Sequence, residues 1–173
     1  GKSDNEQQPT IVWLSYNVHG NEPSSSEAAL LTMYELAAQK NEQAINWLKN
    51  TVVIIDPCLN PDGRDRYVNG FNTAVGHEAN PHELSREHKE TWPSGRSNHY
   101  LFDLNRDWAW QTQVESQQRA VLYQKWYPHV HVDFHEQGCD EPYYFAPAAE
   151  PIHATITPWQ REFQTKVGIN HTR

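Results

Sequence analysis

The chain holds 173 residues with 22 acidic and 14 basic side chains, a formal net charge of −8, which argues against nucleic acid as the main partner because phosphate neutralisation needs a basic face. Seven Trp, eight Tyr and five Phe in a composition that is 37% hydrophobic supply a core and exclude a disordered acidic tail. No apolar run reaches the ~18 residues that span a bilayer, two cysteines make no disulfide-rich scaffold, and ten histidines raise the question of whether they are scattered or organised.

Residues 1–10 are polar and read as a frayed start, which slightly favours a secreted or periplasmic protein over a cytoplasmic one. Ile11 to Val18 is mostly apolar on both faces, as expected of a strand buried in a parallel sheet. The turn His19-Gly20-Asn21-Glu22-Pro23 ends it, and Ser24 with Glu27 forms a capping-box pattern ahead of helix-forming residues Ala28 to Gln39. A short helix over Glu42 to Leu48 leads into a second buried strand, Thr51 to Asp56. Strand, helix, strand is a βαβ unit and predicts parallel pairing. Cys58 to Phe102 reads as a long functional loop. Trp110 to Trp126 reads as a helix with Val114, Val121, Leu122 and Trp126 inward, and Trp110 and Trp126 as core. Val130 to Phe134 is a third strand, Tyr143 to Ala146 a fourth, and Pro158 to Val167 a terminal helix. The fold class is α/β, three layers α/β/α around a mainly parallel or mixed sheet.

Polar clusters follow three of these strands: His19-Gly-Asn-Glu22, Asn60-Pro-Asp-Gly63 and His135-Glu136. The carboxyl edge of an open α/β sheet is where ligands bind. His19 and Glu22 are three residues apart, so an imidazole and a carboxylate can converge on one ion. A catalytic zinc commonly takes two His and one Glu and keeps a fourth position for water. The third ligand must then come from far along the chain, and His135 is the candidate. His129, His131, Asp133 and His135 alternate along one strand face, which leaves His131 as the alternative ligand and His129 as a strand-start polar residue. Asp133 reads equally as a partner of a ligand and as a buried hydrogen-bonding group. His77, His82, His88 and His99 read as exposed loop residues.

In order, His19-Gly-Asn-Glu22, Asn60-Pro-Asp-Gly63, Asp103-Leu-Asn105-Arg106-Asp-Trp108 and Asp133-Phe-His135 resemble the signature of the zinc metallocarboxypeptidases, the M14 or carboxypeptidase A-like family. The resemblance implies a carboxypeptidase-like (phosphorylase/hydrolase-like) fold, with residues 11–173 as the N-terminal portion of a catalytic domain. It implies one zinc held by His19, Glu22 and His135, and Asp103 orienting the first zinc histidine. Asn105 and Arg106 would grip the terminal carboxylate of a peptide, a bidentate task suited to a guanidinium. Arg96 would polarise the scissile carbonyl, with Arg66 and Arg86 as alternatives. The family's general base is a Glu well downstream of the third ligand. Glu136, Glu141, Glu150 and Glu162 stand in no matching context, so the base is expected to be absent from this chain.

The resulting expectation is a zinc hydrolase that removes a C-terminal residue from peptides. The alternatives are a deacylase of the succinylglutamate desuccinylase/aspartoacylase kind and a catalytically silent peptide- or glycan-binding module. Cys58 and Cys139 are either a disulfide or two buried thiols. Tyr143-Tyr144-Phe145 reads as a core strand.

Overall fold

The computed structural model describes residues 8–138 and 140–172, and the chain divides into two compact units between Glu136 and Gln137. In the first unit the order is β1 (Thr10–Tyr16), α1 (Pro23–Ala38), α2 (Glu42–Leu48), β2 (Thr51–Asp56), α3 (Pro61–Ala74), α4 (Val114–Trp126) and β3 (Val130–Phe134). The sheet runs β2-β1-β3 and both pairings are parallel. Ser15 of β1 is level with Asp56 of β2 and Asp133 of β3. All three strands therefore end at one edge, and the turns after them share it.

Alternation along the strands assigns a helix to each face. On the face of Trp13 and Ser15, α4 packs through Tyr123, whose ring lies 5.4 Å from Trp13 and 5.3 Å from His131. Arg119 of α4 reaches Asp56 at 3.0 Å on that same face. Tyr16 points to the other face, stacks on Phe134 at 4.5 Å and meets Thr32 of α1 at 3.2 Å. Helix, sheet, helix is the three-layer α/β arrangement expected. Beyond the strand ends, Val18, Leu59 and Leu104 form a buried apolar cluster with Trp108 against it.

Four expectations need correction. The capping box does not form: Glu22 is the N-cap without a side-chain cap bond, because Pro23 starts α1 early and Ser24 gives both its N–H and its hydroxyl to Glu136 at 2.6 Å. The long loop contains α3. Asn60 caps it by accepting from the Gly63 N–H at 2.9 Å, with proline and an acidic residue in the first turn, a helix-start signal that was present in the sequence.

The inward face of α4 is the polar one. Val114, Val121, Leu122 and Trp126 are exposed, and Trp110, ahead of the helix, is 79% exposed. Ser116 and Arg119 are buried instead, because Arg119 finds Asp56, the Leu59 carbonyl at 3.3 Å and the Trp108 ring at 5.3 Å. Ion pairing and a cation–π contact thus override hydrophobic periodicity. Finally, Tyr143 to Ala146 forms no strand, and Tyr143, Tyr144 and Phe145 are exposed.

In the second unit α5 (Pro158–His171) extends past the predicted end and starts with a capping box between Thr157 and Gln160. Arg161 of α5 pairs with Glu150 at 3.0 Å, and a Cβ at Gly168 would overlap the Ala146 carbonyl. The pairing of Cys58 with Cys139 lies outside the described residues. No helix among them is long and apolar enough to cross a membrane.

Asp107 fixes the turn into α4. Its carboxylate, 5% exposed, accepts from the Thr112 N–H (2.9 Å), the Thr112 hydroxyl (2.7 Å) and the Gln113 N–H (2.9 Å). Burial alone would raise its pKa, but these donors hold it down at about 2. A depressed carboxylate stabilises the fold above its ordinary value of 3.8, and that contribution is lost as pH falls through about 2. Asp107→Ala is therefore expected to cost about 1–3 kcal/mol at pH 7 by leaving two backbone donors unpaired. In urea unfolding the gap to wild type should close between pH 4 and 2; a gap independent of pH would sink this assignment.

Candidate metal centre

The centre is built on the turn after β1. Asn17 takes a left-handed backbone (φ 58°), which asparagine tolerates better than most residues. Its amide donates to the carbonyls of His19 (2.8 Å) and Glu22 (2.9 Å), and its N–H to Ser25 Oγ at 2.8 Å. The turn is thereby folded so that His19 and Glu22 face the same way. Sequence reasoning missed Asn17; a polar amide directly after a buried apolar strand was the signal.

His19 Nδ1 lies 2.7 Å from Glu22 Oε1 and its Nε2 3.2 Å from Asp103 Oδ1. His135, one residue past β3, presents Nδ1 to Glu22 Oε2 at 3.4 Å and Nε2 to Asp133 Oδ2 at 2.9 Å. Each imidazole thus turns one nitrogen to an aspartate and the other to the Glu22 carboxylate. One ligand atom from each of His19, Glu22 and His135 falls within 4.8 Å of the other two. Two imidazole nitrogens and a carboxylate are a donor set that suits zinc. The aspartate behind each ring fixes the tautomer that leaves the inner nitrogen free to ligate. The residues fit the metal.

The charges follow from this packing. Burial alone would raise Glu22, but hydrogen bonds from His135, His19 and the Glu136 N–H hold it at about 2. Asp133 and Glu22 flank His135 and push it up to about 9. Burial opposes ionisation of Asp103, yet the Asn105 N–H and the Arg96 guanidinium bring its pKa down.

Arg96 joins the centre through Asp103 Oδ2, with Nε at 3.1 Å and Nη2 at 2.9 Å. Its side chain stays 45% exposed, so the opposite edge of the guanidinium can meet a ligand oxygen. Arg66 is spent structurally, donating to the carbonyls of Ser94, Ser97 and Asn98 at 2.8–3.2 Å. Arg86 sits in a one-turn helix, Arg86–His88, away from Asp103's contacts. Asn105 reaches the centre by its backbone N–H to Asp103 Oδ1 at 2.9 Å. Arg106 is exposed and donates to the Asn105 carbonyl at 3.2 Å, so it contacts none of the three candidate ligands.

His131 is not with the cluster. It bonds Ser15 Oγ at 2.9 Å beneath α4 and lines a cavity of about 380 Å³ with Trp108, Tyr123 and Asp133, and burial lowers its pKa. His129 Nδ1 accepts the Ile11 N–H at the strand start. His77, His82, His88 and His99 are exposed. Of the remaining carboxylates, Glu136 serves Ser24, Glu150 serves Arg161 and Glu162 serves Lys166, while Glu141 accepts from the Gly138 N–H.

A family model described as zinc carboxypeptidase, peptidase M14, matches residues 1–169. Carboxypeptidase E of Caenorhabditis elegans is 34% identical over 99 residues, 56% of this chain and 18% of that protein. Carboxypeptidase 2 of Trichophyton rubrum is 26% identical over 125 residues, 72% of this chain and 18% of that protein. The chain therefore covers 18% of the length of each of these relatives.

Proposed function

The chain belongs to the zinc carboxypeptidase family, and on that premise we propose that it carries the metal-binding part of a hydrolase that removes the C-terminal residue from peptides. The observation behind this reading is the convergence of His19, Glu22 and His135, from two distant segments, within 4.8 Å. These three residues would hold the zinc. When bound, zinc supplies a Lewis acid that acidifies its water and polarises a carbonyl.

The other residues act around that point. Asp103 and Asp133 hold the outer nitrogens of the two imidazoles, keeping both rings aimed inward. Arg96, steadied by Asp103, offers the free edge of its guanidinium to the scissile carbonyl, where negative charge develops. Asn105 and Arg106 bind the terminal carboxylate, and the exposure of Arg106 suits a group that waits for its ligand. No proton-accepting carboxylate is assigned among the described residues.

The test compares three substrates with the zinc-loaded whole hydrolase of which these residues are the metal-binding part: a peptide with a free carboxyl terminus, the same peptide amidated, and N-acyl amino acids. The expected result is release of a single C-terminal residue from the free acid and none from the amide. Turnover of acyl amino acids alone would replace this reading with the deacylase. Carboxylate-dependent peptide binding with no turnover would replace it with the silent binding module.

A further inference from the structure

Building on the proposed function, we propose that Asn60 is a positioning residue that seats Arg96 at the metal centre. Asn60 belongs to the Asn60-Pro-Asp-Gly63 block, to which the chemistry above gives no part. Its side chain is 1% exposed and every amide atom is used. Oδ1 accepts the Gly63 N–H at 2.9 Å, and Nδ2 donates to the Val18 carbonyl at 3.1 Å and the Arg96 carbonyl at 3.0 Å. Val18 directly precedes His19. The Arg96 guanidinium goes to Asp103, and the other oxygen of Asp103 goes to His19. The contacts close a ring from His19 through Val18, Asn60, Arg96 and Asp103 back to His19.

Backbone packing reinforces the ring. A Cβ at Gly20 would overlap the Arg64 nitrogen and one at Gly63 the Gly95 carbonyl; one at Gly95 would sit 2.6 Å from the Gly63 oxygen and 2.8 Å from Tyr67 Cβ. The first turn of α3 is thus wedged, main chain on main chain, between the turn bearing His19 and the loop bearing Arg96. Glu90 closes the outer side by accepting from the Gly95 N–H and, at 2.8 Å, from Asn21 Nδ2. Without side chains at these three positions, a short, rigid path runs from the zinc-ligating turn to the arginine.

A merely structural Asn60 would act only as the cap of α3. Asn60→Ser keeps a capping oxygen but has no amide to bridge two carbonyls, so it separates the roles. In ¹⁵N-labelled protein the Arg96 Nε–H resonance, assigned by its loss in Arg96→Lys, should be slowly exchanging in wild type. In Asn60→Ser it should move to the position of a solvated guanidinium while the backbone amides of α1–α4 and the zinc content hold. Gly95→Ala, which keeps the Asn60 side chain but forces the loop bearing Arg96 off the Gly63 carbonyl, should do the same, and it carries the test if Asn60→Ser does not fold. On peptide substrate, Asn60→Ser should lower kcat of the whole hydrolase roughly 10–100-fold with little change in KM, and adding Asn60→Ser to Arg96→Lys should cost little beyond Arg96→Lys alone, as expected when one residue acts through the other. An unmoved Arg96 resonance in both variants, or kinetic effects that multiply, would overturn the proposal. Should no peptide be hydrolysed at all, the kinetic arm falls with the proposed function, and the resonance still decides the role of Asn60.

Discussion

His19→Ala is expected to lower zinc affinity by ~10³-fold or more, beyond the ~10–100-fold that loss of an outer partner costs. His19 supplies one of the three candidate donors found among the described residues and is 3% exposed, so its loss leaves two donors beside an enclosed gap. The substitution also removes one partner of Asp103, whose Oδ1 faces His19 Nε2. Competition against a chromophoric chelator gives the measurement, and His131→Ala is the matched control. His131 bonds Ser15 beneath α4, so its loss should leave zinc affinity near wild type. Wild-type affinity in His19→Ala, or a loss in His131→Ala as large, would remove the metal centre described here.

The second large effect is kinetic. In the whole hydrolase, Arg96→Met is expected to lower kcat by ~10²–10³-fold, the usual cost of removing a donor aimed at a developing oxyanion, while zinc content stays near one per chain. KM should move little, because Arg96 is assigned to the carbonyl and not to the terminal carboxylate. Arg106→Met should show the reverse split, raising KM. Arg66→Met provides the contrast: three backbone carbonyls lose their donor, so stability should fall before any specific kinetic signature appears. A larger kcat loss in a folded Arg66→Met protein than in Arg96→Met would transfer the role.

Much of this was legible in the residues. β2, β3 and α2 fall where buried β-rich runs and a short helical pattern place them, and the carboxyl-edge position of the three motifs follows from parallel strands. The misreadings have physical causes. The Ser24–Glu27 box is a local pattern, and it lost to a contact with Glu136 that lies 112 residues from Ser24. The apolar stripe of α4 is a sound periodic signal, but the sheet beneath offered Asp56 and the segment ahead of α4 the Trp108 ring, so the arginine face turned inward. At α3 the density of Gly, Pro and Asn suggested loop, although proline is well suited to the first position of a helix.

Sequence by itself determined which residue types were available for metal chemistry, and the spacing and order of motifs that mark the zinc carboxypeptidase family. Those properties are local or ordinal, so they survive without coordinates. The tertiary structure alone decided which of three arginines stands beside Asp103, that both imidazoles are backed by aspartates, and that Asn60 links the His19 turn to the Arg96 loop. The bonds of Asp103 to His19, and of Asn60 to Val18 and Arg96, join segments tens of residues apart. Such contacts leave no periodic trace, because their geometry is set by how a helix turn and two loops pack backbone against backbone.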